Sequence, residues 1–358
     1  MTWESEGKMP SYRKNEARDW AWQHLKGCAN VIIPSYTADL KGLNERGIRH
    51  DVRKCLEHGF TGTLLVSETA VTLSEYAQFF EWSNDESKGR LKLILHASFN
   101  TLEENIEAAK IAEANGCELV LLSYPANFYP ESLDEIYDYT KAFCDATKLA
   151  ILLFPVPLWG FSRLHASDIP AAVIRKLLDN CPNIVAIKAE GGMPSIMGFV
   201  ECHRLFGKEV IVETPLFGDL VPLAQLVPIQ FTGTSNTHFF GDVVPKVMQM
   251  LQEKKFDAAT EIYWKTAPAR QANGAVNAAS AGGHFLNRMV WGYEGWLQGY
   301  NGGPLRQPTM KIHGQQMTML RTGLTRSGLK PTDSPDKEFF IGRNPVETAS
   351  ARSRAAAE

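Results

Sequence analysis

Short apolar runs alternate with amphipathic segments from about residue 30 to residue 255. The amphipathic segments have apolar residues at helical spacing, as in Leu102–Ala114, Leu133–Ala146, Ala171–Leu178 and Val243–Gln252. Apolar strands that alternate with helices are typical of a parallel sheet whose outer face is covered by helices. The runs predicted as strands are Val31–Pro34, Thr63–Val66, Leu91–His96, Leu119–Ser123, Ala150–Phe154, Ile184–Lys188, Val210–Glu213 and Ile229–Gly233.

The number of strands favours a (β/α)8 TIM barrel, a fold of the α/β class. Eight strand–helix units in about 220 residues match the size of such a barrel. A doubly wound sheet usually has about five to seven strands, and no GxGxxG motif follows the first strand here. We therefore expect one catalytic barrel over residues 28–255, preceded by an N-terminal extension over residues 1–27.

Beyond residue 255 the alternation stops, and a helical appendage is predicted over residues 256–330. The final segment, residues 331–358, has few apolar residues and is predicted to be an extended arm or a disordered tail. The helices of the appendage are expected at Phe256–Gln271, Gly274–Leu286 and Met310–Ser327, with a glycine-rich joint at Gly299–Gly303.

Charge and hydropathy exclude two classes of partner. The chain has 37 Lys and Arg against 40 Asp and Glu, so it lacks the basic excess expected of a nucleic-acid binder. No run of about 18 apolar residues is present, so no membrane span is expected. The first twenty residues are polar, without the apolar region of a secretory signal, so a cytoplasmic location is predicted.

Metal-binding and disulfide frameworks are not expected either. The cysteines have no CxxC spacing, and the sequence has no HxH or HExxH motif. We therefore predict buried free thiols and no metal site. The cysteines are Cys28, Cys55, Cys117, Cys144, Cys181 and Cys202.

Barrel enzymes carry their active-site residues at the C-terminal ends of the strands, and Lys188 ends the sixth predicted strand. The strand alternation puts Lys188 on the same face as Ile184 and Ala186. In one interpretation Lys188 forms an ion pair with Glu190 or Glu213. In the other, burial lowers the pKa of its amine, which then attacks a carbonyl group to form a Schiff base.

Four motifs make the chain resemble the dihydrodipicolinate synthase and N-acetylneuraminate lyase family of class I aldolases. They are VIIPSY at strand 1, ILLFPVP on strand 5, VAIKAEGG on strand 6 and GYNGGPLRQP beyond the barrel. The resemblance covers about residues 28–330. It implies that Lys188 forms a Schiff base with the ketone of pyruvate or another 2-oxo acid. The protonated imine then serves as the electron sink, so no cofactor is implied.

The chain departs from the family pattern at several positions. Phe154 occupies the place of a strand-5 tyrosine whose hydroxyl relays protons in the family. The family's GTTGE loop, which holds the carboxylate of pyruvate, becomes the segment 65–69, LVSET. A gapless register puts Ser67 on the second threonine, whereas a shift of one residue puts Glu68 on the glutamate. Both registers remain open. The first tyrosine after strand 4 corresponds to Tyr124.

Trp159 replaces an arginine that binds the carboxylate of the aldehyde partner in the synthase. An indole cannot hold a carboxylate as a guanidinium does, so lysine biosynthesis is not expected. With Phe161, Trp159 suggests a pocket for an apolar or aromatic acceptor. Alternatively, both rings pack against the rim of the barrel.

Three residues are candidates for the missing proton relay. Tyr124 is ranked first because its position matches a family tyrosine, His96 is second, and Glu213 is the third candidate. The predicted catalytic residues are therefore Lys188, Tyr124 and His96. The predicted substrate-binding residues are Ser67, Glu68, Thr69, Phe154, Trp159, Glu213 and Ser235.

The predicted function is a Schiff-base lyase that makes or breaks a C–C bond between a pyruvate-like 2-oxo acid and an aldehyde. A dehydratase or hydratase of the same family, or a 2-oxo acid binding protein that has lost turnover, are the alternatives. The resemblance implies a homo-oligomer, most commonly a tetramer. The aromatic stretch MVWGYEGWLQGY either forms an interface or packs on its own barrel.

Overall fold

The computed structural model describes residues 10–189, 195–281, 283 and 285–346. Within these ranges no helix is both long and apolar enough to cross a membrane. The strands are β1 Gly27–Ile32, β2 Gly62–Leu65, β3 Lys92–Ala97, β4 Leu119–Leu122, β5 Ala150–Leu153, β6 Ile184–Lys188, β7 Ile211–Glu213 and β8 Phe231–Thr232. The helices are α1 Ala17–His24, α2 Glu45–Glu57, α3 Leu73–Ser87, α4 Leu102–Ala114, α5 Leu133–Ala146, α6 Ala171–Asn180, α7 Ser195–Phe206, α8 Phe217–Ala224, α9 Val243–Gln252, α10 Phe256–Lys265, α11 Ala267–Ala281, α12 Arg288–Leu297 and α13 Gly314–Arg326.

The strands form one parallel sheet in the order β7-β6-β5-β4-β3-β2-β1-β8, and the prediction of a (β/α)8 TIM barrel is confirmed. Each strand overlaps the apolar run predicted for it. The strands are buried almost throughout, because helices cover the sheet outside and side chains fill the barrel inside. All six cysteines are buried, and none of them forms a disulfide within the described part of the chain.

The barrel closes around the short strand β8. On one side, a Cβ atom at Gly233 would lie 2.7 Å from the carbonyl oxygen of Ala29, so only glycine allows this approach to β1. On the other side, the Gly233 N–H donates to Oε2 of Glu213 at 3.1 Å. The Thr232 hydroxyl donates to the backbone carbonyl of Thr214. The β7–β8 junction is therefore joined by side-chain hydrogen bonds.

Three consecutive outer helices begin with the same local signal, Ser or Thr followed three residues later by Glu. The hydroxyls of Thr72, Thr101 and Ser132 accept the backbone N–H three residues on, at 3.1–3.3 Å. Such caps satisfy N–H groups that a helix leaves unpaired in its first turn. They fix where the loops after β2, β3 and β4 end, and these loops carry candidate site residues.

The N-terminal extension is part of the barrel at its amino end. Arg18 of α1 donates to the carbonyl oxygens of Leu178 at 2.6 Å and Ile184 at 3.1 Å. These bonds tie α1 to the end of α6 and the start of β6.

The C-terminal region differs from the prediction in its helix bounds. The helix expected over Phe256–Gln271 breaks at Thr266, because Pro268 cannot continue α10 but fits the first turn of α11. An additional helix, α12, carries the aromatic stretch. Its Trp291, Tyr293 and Trp296 are buried within their own chain, which favours the intrachain alternative for these rings.

The final segment, expected as an extended arm or a disordered tail, packs against the rest of the chain over residues 331–346. Phe339 is fully buried, with its ring centroid 5.3 Å from that of Tyr293 and 6.0 Å from that of Trp296. Arg343 donates to the carbonyl oxygens of Tyr300 and Trp296. The segment thus packs against the aromatic face of α12. Its own amino-acid composition gave no sign of this contact, because the contact depends on rings contributed by α12. Residues 347–358 lie outside the described part of the chain.

We expect Phe339→Ala to lower the free energy of unfolding by about 3–5 kcal/mol, because it removes a buried ring from this contact. Phe340→Ala is the matched control, since its side chain is 44% exposed and should change stability by no more than about 0.5 kcal/mol. Urea unfolding followed by circular dichroism measures both. Equal, small effects would show that the Phe339 ring adds nothing to the stability of the fold.

Candidate active site

A cavity of about 710 Å³ opens at the C-terminal ends of the strands. Two predicted site residues, Thr69 and Glu213, do not line it: the Thr69 hydroxyl is bonded to Tyr36, and Glu213 joins β7 to β8. The predicted residues that line it are Ser67, Glu68, His96, Tyr124, Phe154, Trp159, Lys188 and Ser235.

Lys188 lies in the wall of this cavity and is only 3% exposed. Its Nζ donates to the backbone carbonyl of Thr234 at 3.1 Å and lies 3.8 Å from the ring centroid of Phe154. The β5–β6 register pairs Leu153 with Ile187, so the next residue on each strand brings Phe154 beside Lys188. An aromatic face at this distance stabilises an ammonium group.

Of the two acidic residues considered as ion-pair partners of Lys188, Glu190 lies outside the described residues. Glu213 is paired with Lys188 in the β6–β7 register, and its Oε2 accepts the Gly233 N–H. The structure thus gives Glu213 a part in barrel closure.

Thr234 holds Lys188 from a strained backbone conformation. Its φ is 57°, in the left-handed region that β-branched residues rarely adopt. Its hydroxyl is buried in the cavity wall and has no hydrogen-bond partner among the described residues. Such strain is concentrated at functional sites, where the surrounding structure maintains it.

His96 is buried and forms a polar contact with Ser123 inside the cavity. The Ser67 N–H faces its Nδ1 at 3.4 Å, so Nδ1 accepts and Nε2 carries the proton. Nε2 then lies 3.2 Å from the Ser123 hydroxyl oxygen and 3.8 Å from Oε1 of Glu68. Burial lowers the pKa of His96 to about 4, against the opposing effect of Glu68. His96 is therefore neutral at neutral pH.

Glu68 and Arg288 form an ion pair at the edge of the same cavity. Arg288 Nε donates to Oε2 of Glu68 at 3.0 Å, its Nη2 contacts the same oxygen, and the Ser98 hydroxyl donates to Oε1 at 3.0 Å. Burial would raise the pKa of Glu68, but the charge of Arg288, the charge that His96 carries once it is protonated, and these hydrogen bonds outweigh it and bring the pKa to about 2. Glu68 is thus ionised.

Sequence reasoning missed Arg288, because it considered only the ends of the strands. Arg288 begins α12, a helix that was not predicted, and reaches the site from 220 residues beyond Glu68. The sequence feature that could have drawn attention to Arg288 was its position as a lone arginine at the start of an aromatic-rich stretch. Ser98 and Ser123 were visible at strand ends but were not selected.

The loop after β2 presents a carboxylate to the cavity in place of free hydroxyls. The Ser67 hydroxyl donates to the carbonyl oxygen of His96 at 3.0 Å. The Thr69 hydroxyl lies 3.1 Å from the Tyr36 hydroxyl. Glu68 is the side chain of this loop that faces Arg288.

Three aromatic rings form another wall of the cavity: Tyr124, Phe154 and Trp159. The ring centroid of Trp159 lies 5.7 Å from each of the other two. Its indole N–H donates to the carbonyl oxygen of Phe154 at 2.7 Å. The Tyr124 hydroxyl lies 2.6 Å from the hydroxyl of Thr140 on α5, and burial raises its pKa. Both polar groups of this wall are engaged within the protein.

Among the residues of these ranges, no three His, Cys, Asp or Glu side chains group in a way that would hold a metal ion.

A family model for the dihydrodipicolinate synthetase family matches residues 31–271. The 4-hydroxy-tetrahydrodipicolinate synthase of Methanopyrus kandleri is 30% identical over 183 residues, which are 49% of this chain and 59% of that protein. The protein of the same name from Clostridium perfringens strain SM101 is 25% identical over 327 residues, covering 85% of this chain and 99% of that relative.

Solved structures share the fold. Dihydrodipicolinate synthase from Aquifex aeolicus superposes with a TM-score of 0.73 and 17% identity, covering 86% of this chain and all of that one. N-acetylneuraminate lyase from Fusobacterium nucleatum gives a TM-score of 0.68 with 19% identity, over 86% of this chain and 100% of the other. At these identities the likeness concerns the barrel and its appended helices.

The lowered pKa of His96 predicts a loss of stability in acid. The unfolded state binds a proton near pH 6.5 and the folded state only near pH 4, so acidification between these values favours unfolding. We expect the free energy of unfolding to fall across this range, with His96 contributing on the order of 2 kcal/mol. Urea midpoints at several pH values should decline less steeply in His96→Gln than in the wild type. Parallel curves would show that His96 titrates normally in the fold.

Proposed function

The chain belongs to the dihydrodipicolinate synthetase family, and from this premise we propose that it is a lyase acting through an imine between Lys188 and a 2-oxo acid. The observation that carries the proposal is the buried Lys188 amine in the cavity wall, held beside Thr234 and Phe154. The neutral amine adds to the ketone, and the resulting carbinolamine takes up one proton from solvent and loses water, which gives a protonated imine. This imine accepts the electron pair when a bond at the neighbouring carbon breaks.

Ser123 is the group we assign to proton transfer at the bound substrate. Phe154 has no ionisable group, and the hydroxyl of Tyr124 is bonded to Thr140. The Nε2–H of His96 points at the Ser123 oxygen, which leaves the serine proton available for a substrate oxygen. Ser123 can then exchange protons between substrate and water, while His96 acts as a positioning residue.

The aromatic wall supports an apolar or aromatic acceptor. The N–H of Trp159 and the hydroxyl of Tyr124 are both engaged, so this wall has no donor left for an acceptor carboxylate. On this basis we propose an activity other than lysine biosynthesis. Aldol cleavage or formation is the favoured reaction, and dehydration through the same imine is the alternative.

Assembly and location are also proposed from the family resemblance. We propose a homotetramer in the cytoplasm that handles small 2-oxo acids and aldehydes. The aromatic residues of α12 do not add support for the tetramer, because they are buried in their own chain.

Borohydride reduction in the presence of pyruvate or a larger 2-oxo acid should attach the reduced adduct to Lys188, because reduction fixes the imine. Peptide mass spectrometry identifies the modified residue. Lys188→Arg is the matched control, since it keeps a cation beside Phe154 and Thr234 but forms no imine. A folded wild-type protein that traps no member of a 2-oxo acid panel would contradict the proposal.

Loss of the Ser123 hydroxyl should slow proton transfer while leaving the imine intact. We expect Ser123→Ala to lower the rate of C3 proton exchange on pyruvate by about 100-fold, the low end of a general acid–base contribution. His96→Gln should also lower it, whereas Tyr124→Phe should stay within about tenfold of the wild type. Exchange is followed by NMR in deuterated buffer, with borohydride trapping as the check on the imine.

Two outcomes would change the assignment. A large loss in Tyr124→Phe together with none in Ser123→Ala would return the relay to Tyr124. Trapping without any C3 exchange in the wild type would identify a binding protein that has lost turnover.

A further inference from the structure

The active-site cavity contains a buried guanidinium nitrogen without a partner. Arg288 is 3% exposed, and its Nε and Nη2 both bind Glu68. Its Nη1 is buried and has no hydrogen-bond partner among the residues described. Buried donors in native proteins are nearly always paired, so an unpaired donor of a charged group calls for an explanation. A bound anion supplies one.

The surroundings of Arg288 fix its side chain for such a role. Glu68 binds one edge of the guanidinium, and the ring of Trp291 lies 4.3 Å from its Cζ. Glu68 is itself held by the Ser98 hydroxyl. The guanidinium therefore loses little conformational freedom when a ligand binds, and its charge is matched to a carboxylate.

The hydrogen bonds of the other polar groups in the cavity indicate where a negatively charged group of a ligand could bind. The Ser67 hydroxyl, the Tyr124 hydroxyl and the Trp159 N–H are all engaged within the protein. Two side chains that line the cavity within the described ranges have a buried polar atom with no hydrogen-bond partner: the Thr234 hydroxyl oxygen and Arg288 Nη1. A ligand carboxylate thus has a guanidinium available in this cavity but no donor on the aromatic wall.

We propose that Arg288 binds the carboxylate of the 2-oxo acid that reacts with Lys188, and that Glu68 holds the guanidinium in position. This inference rests on the proposed function and adds the orientation of the substrate. The carboxylate lies at Arg288, the ketone carbon at Lys188, and the apolar substituent at Trp159. The substrate class is a 2-oxo acid with an apolar or aromatic extension and no second carboxylate.

The test compares three ketones in borohydride trapping at Lys188: pyruvate, neutral butanone, and levulinate, whose carboxylate is two carbons further from the ketone. The variants are Arg288→Lys, which keeps the charge but loses the guanidinium fork, and the double variant Glu68→Gln/Arg288→Met, which removes both charges of the ion pair. We expect the half-saturating pyruvate concentration to rise about 10- to 100-fold in both, the effect of losing one hydrogen bond to a charged group. Butanone and levulinate should be trapped as in the wild type.

Arg306→Lys is the matched control. Arg306 forms a comparable two-pronged ion pair with Glu75, at 2.7 Å for each contact, but does not line the cavity. Its substitution should leave the pyruvate dependence unchanged. Circular dichroism spectra and melting temperatures establish that each variant is folded.

Three results would overturn the inference while leaving the role of Lys188 intact. They are an unchanged pyruvate dependence in both variants, an equal loss for butanone, and a loss confined to levulinate. The last result would mean that Arg288 binds a carboxylate further from the ketone than the carboxylate of a 2-oxo acid.

A separate measurement distinguishes failure of the Lys188 proposal from failure of this one. The Lys188→Ala variant cannot form an imine, so calorimetry then measures the non-covalent binding of pyruvate alone. Binding that disappears when Arg288→Lys is added supports the carboxylate site whatever Lys188 does. Binding that is the same with and without Arg288→Lys overturns the site.

Discussion

The close approach of Gly233 to Ala29 is the constraint on which the mouth of the barrel depends. Strand β8 is only two residues long, so the backbone must meet β1 at van der Waals distance for the ring to close. The next residue, Thr234, is then held in a left-handed conformation, and its carbonyl oxygen points at the amine of Lys188. The same backbone geometry that closes the barrel therefore also positions the amine of the candidate nucleophile.

The ion pair between Glu68 and Arg288 at the edge of the cavity joins distant parts of the chain. Glu68, at the end of an early strand, is ionised because Arg288 from the C-terminal helices lies against it. The ring of Trp291, one turn along the same helix α12, lies against Arg288, and the ring of Tyr293 on that helix packs against Phe339. Residues beyond the barrel thus contribute to the candidate site together with residues at the strand ends.

Much of this architecture is readable from sequence, because parallel barrels impose strong local patterns. Continuous apolar runs identify the strands, and the position of Lys188 at a strand end places it in the cavity. The contacts that sequence does not reveal are those in which two segments meet only after folding. Arg288 binds Glu68 across 220 residues, and Phe339 is buried by rings that precede it by more than forty positions. Likewise, the hydroxyl of Tyr124 matched a family position, but helix α5 determines where that hydroxyl points.

The repeated caps at Thr72, Thr101 and Ser132 have an evolutionary consequence. Each cap satisfies the first turn of its own helix through a neighbour three residues away, so helix initiation does not depend on the loop before it. Other residues in these loops can therefore be substituted, for example to fit a new substrate, without removing the caps of the helices that follow. A scaffold of this kind allows the loops at the cavity to change one at a time while the barrel strands and the outer helices keep their positions.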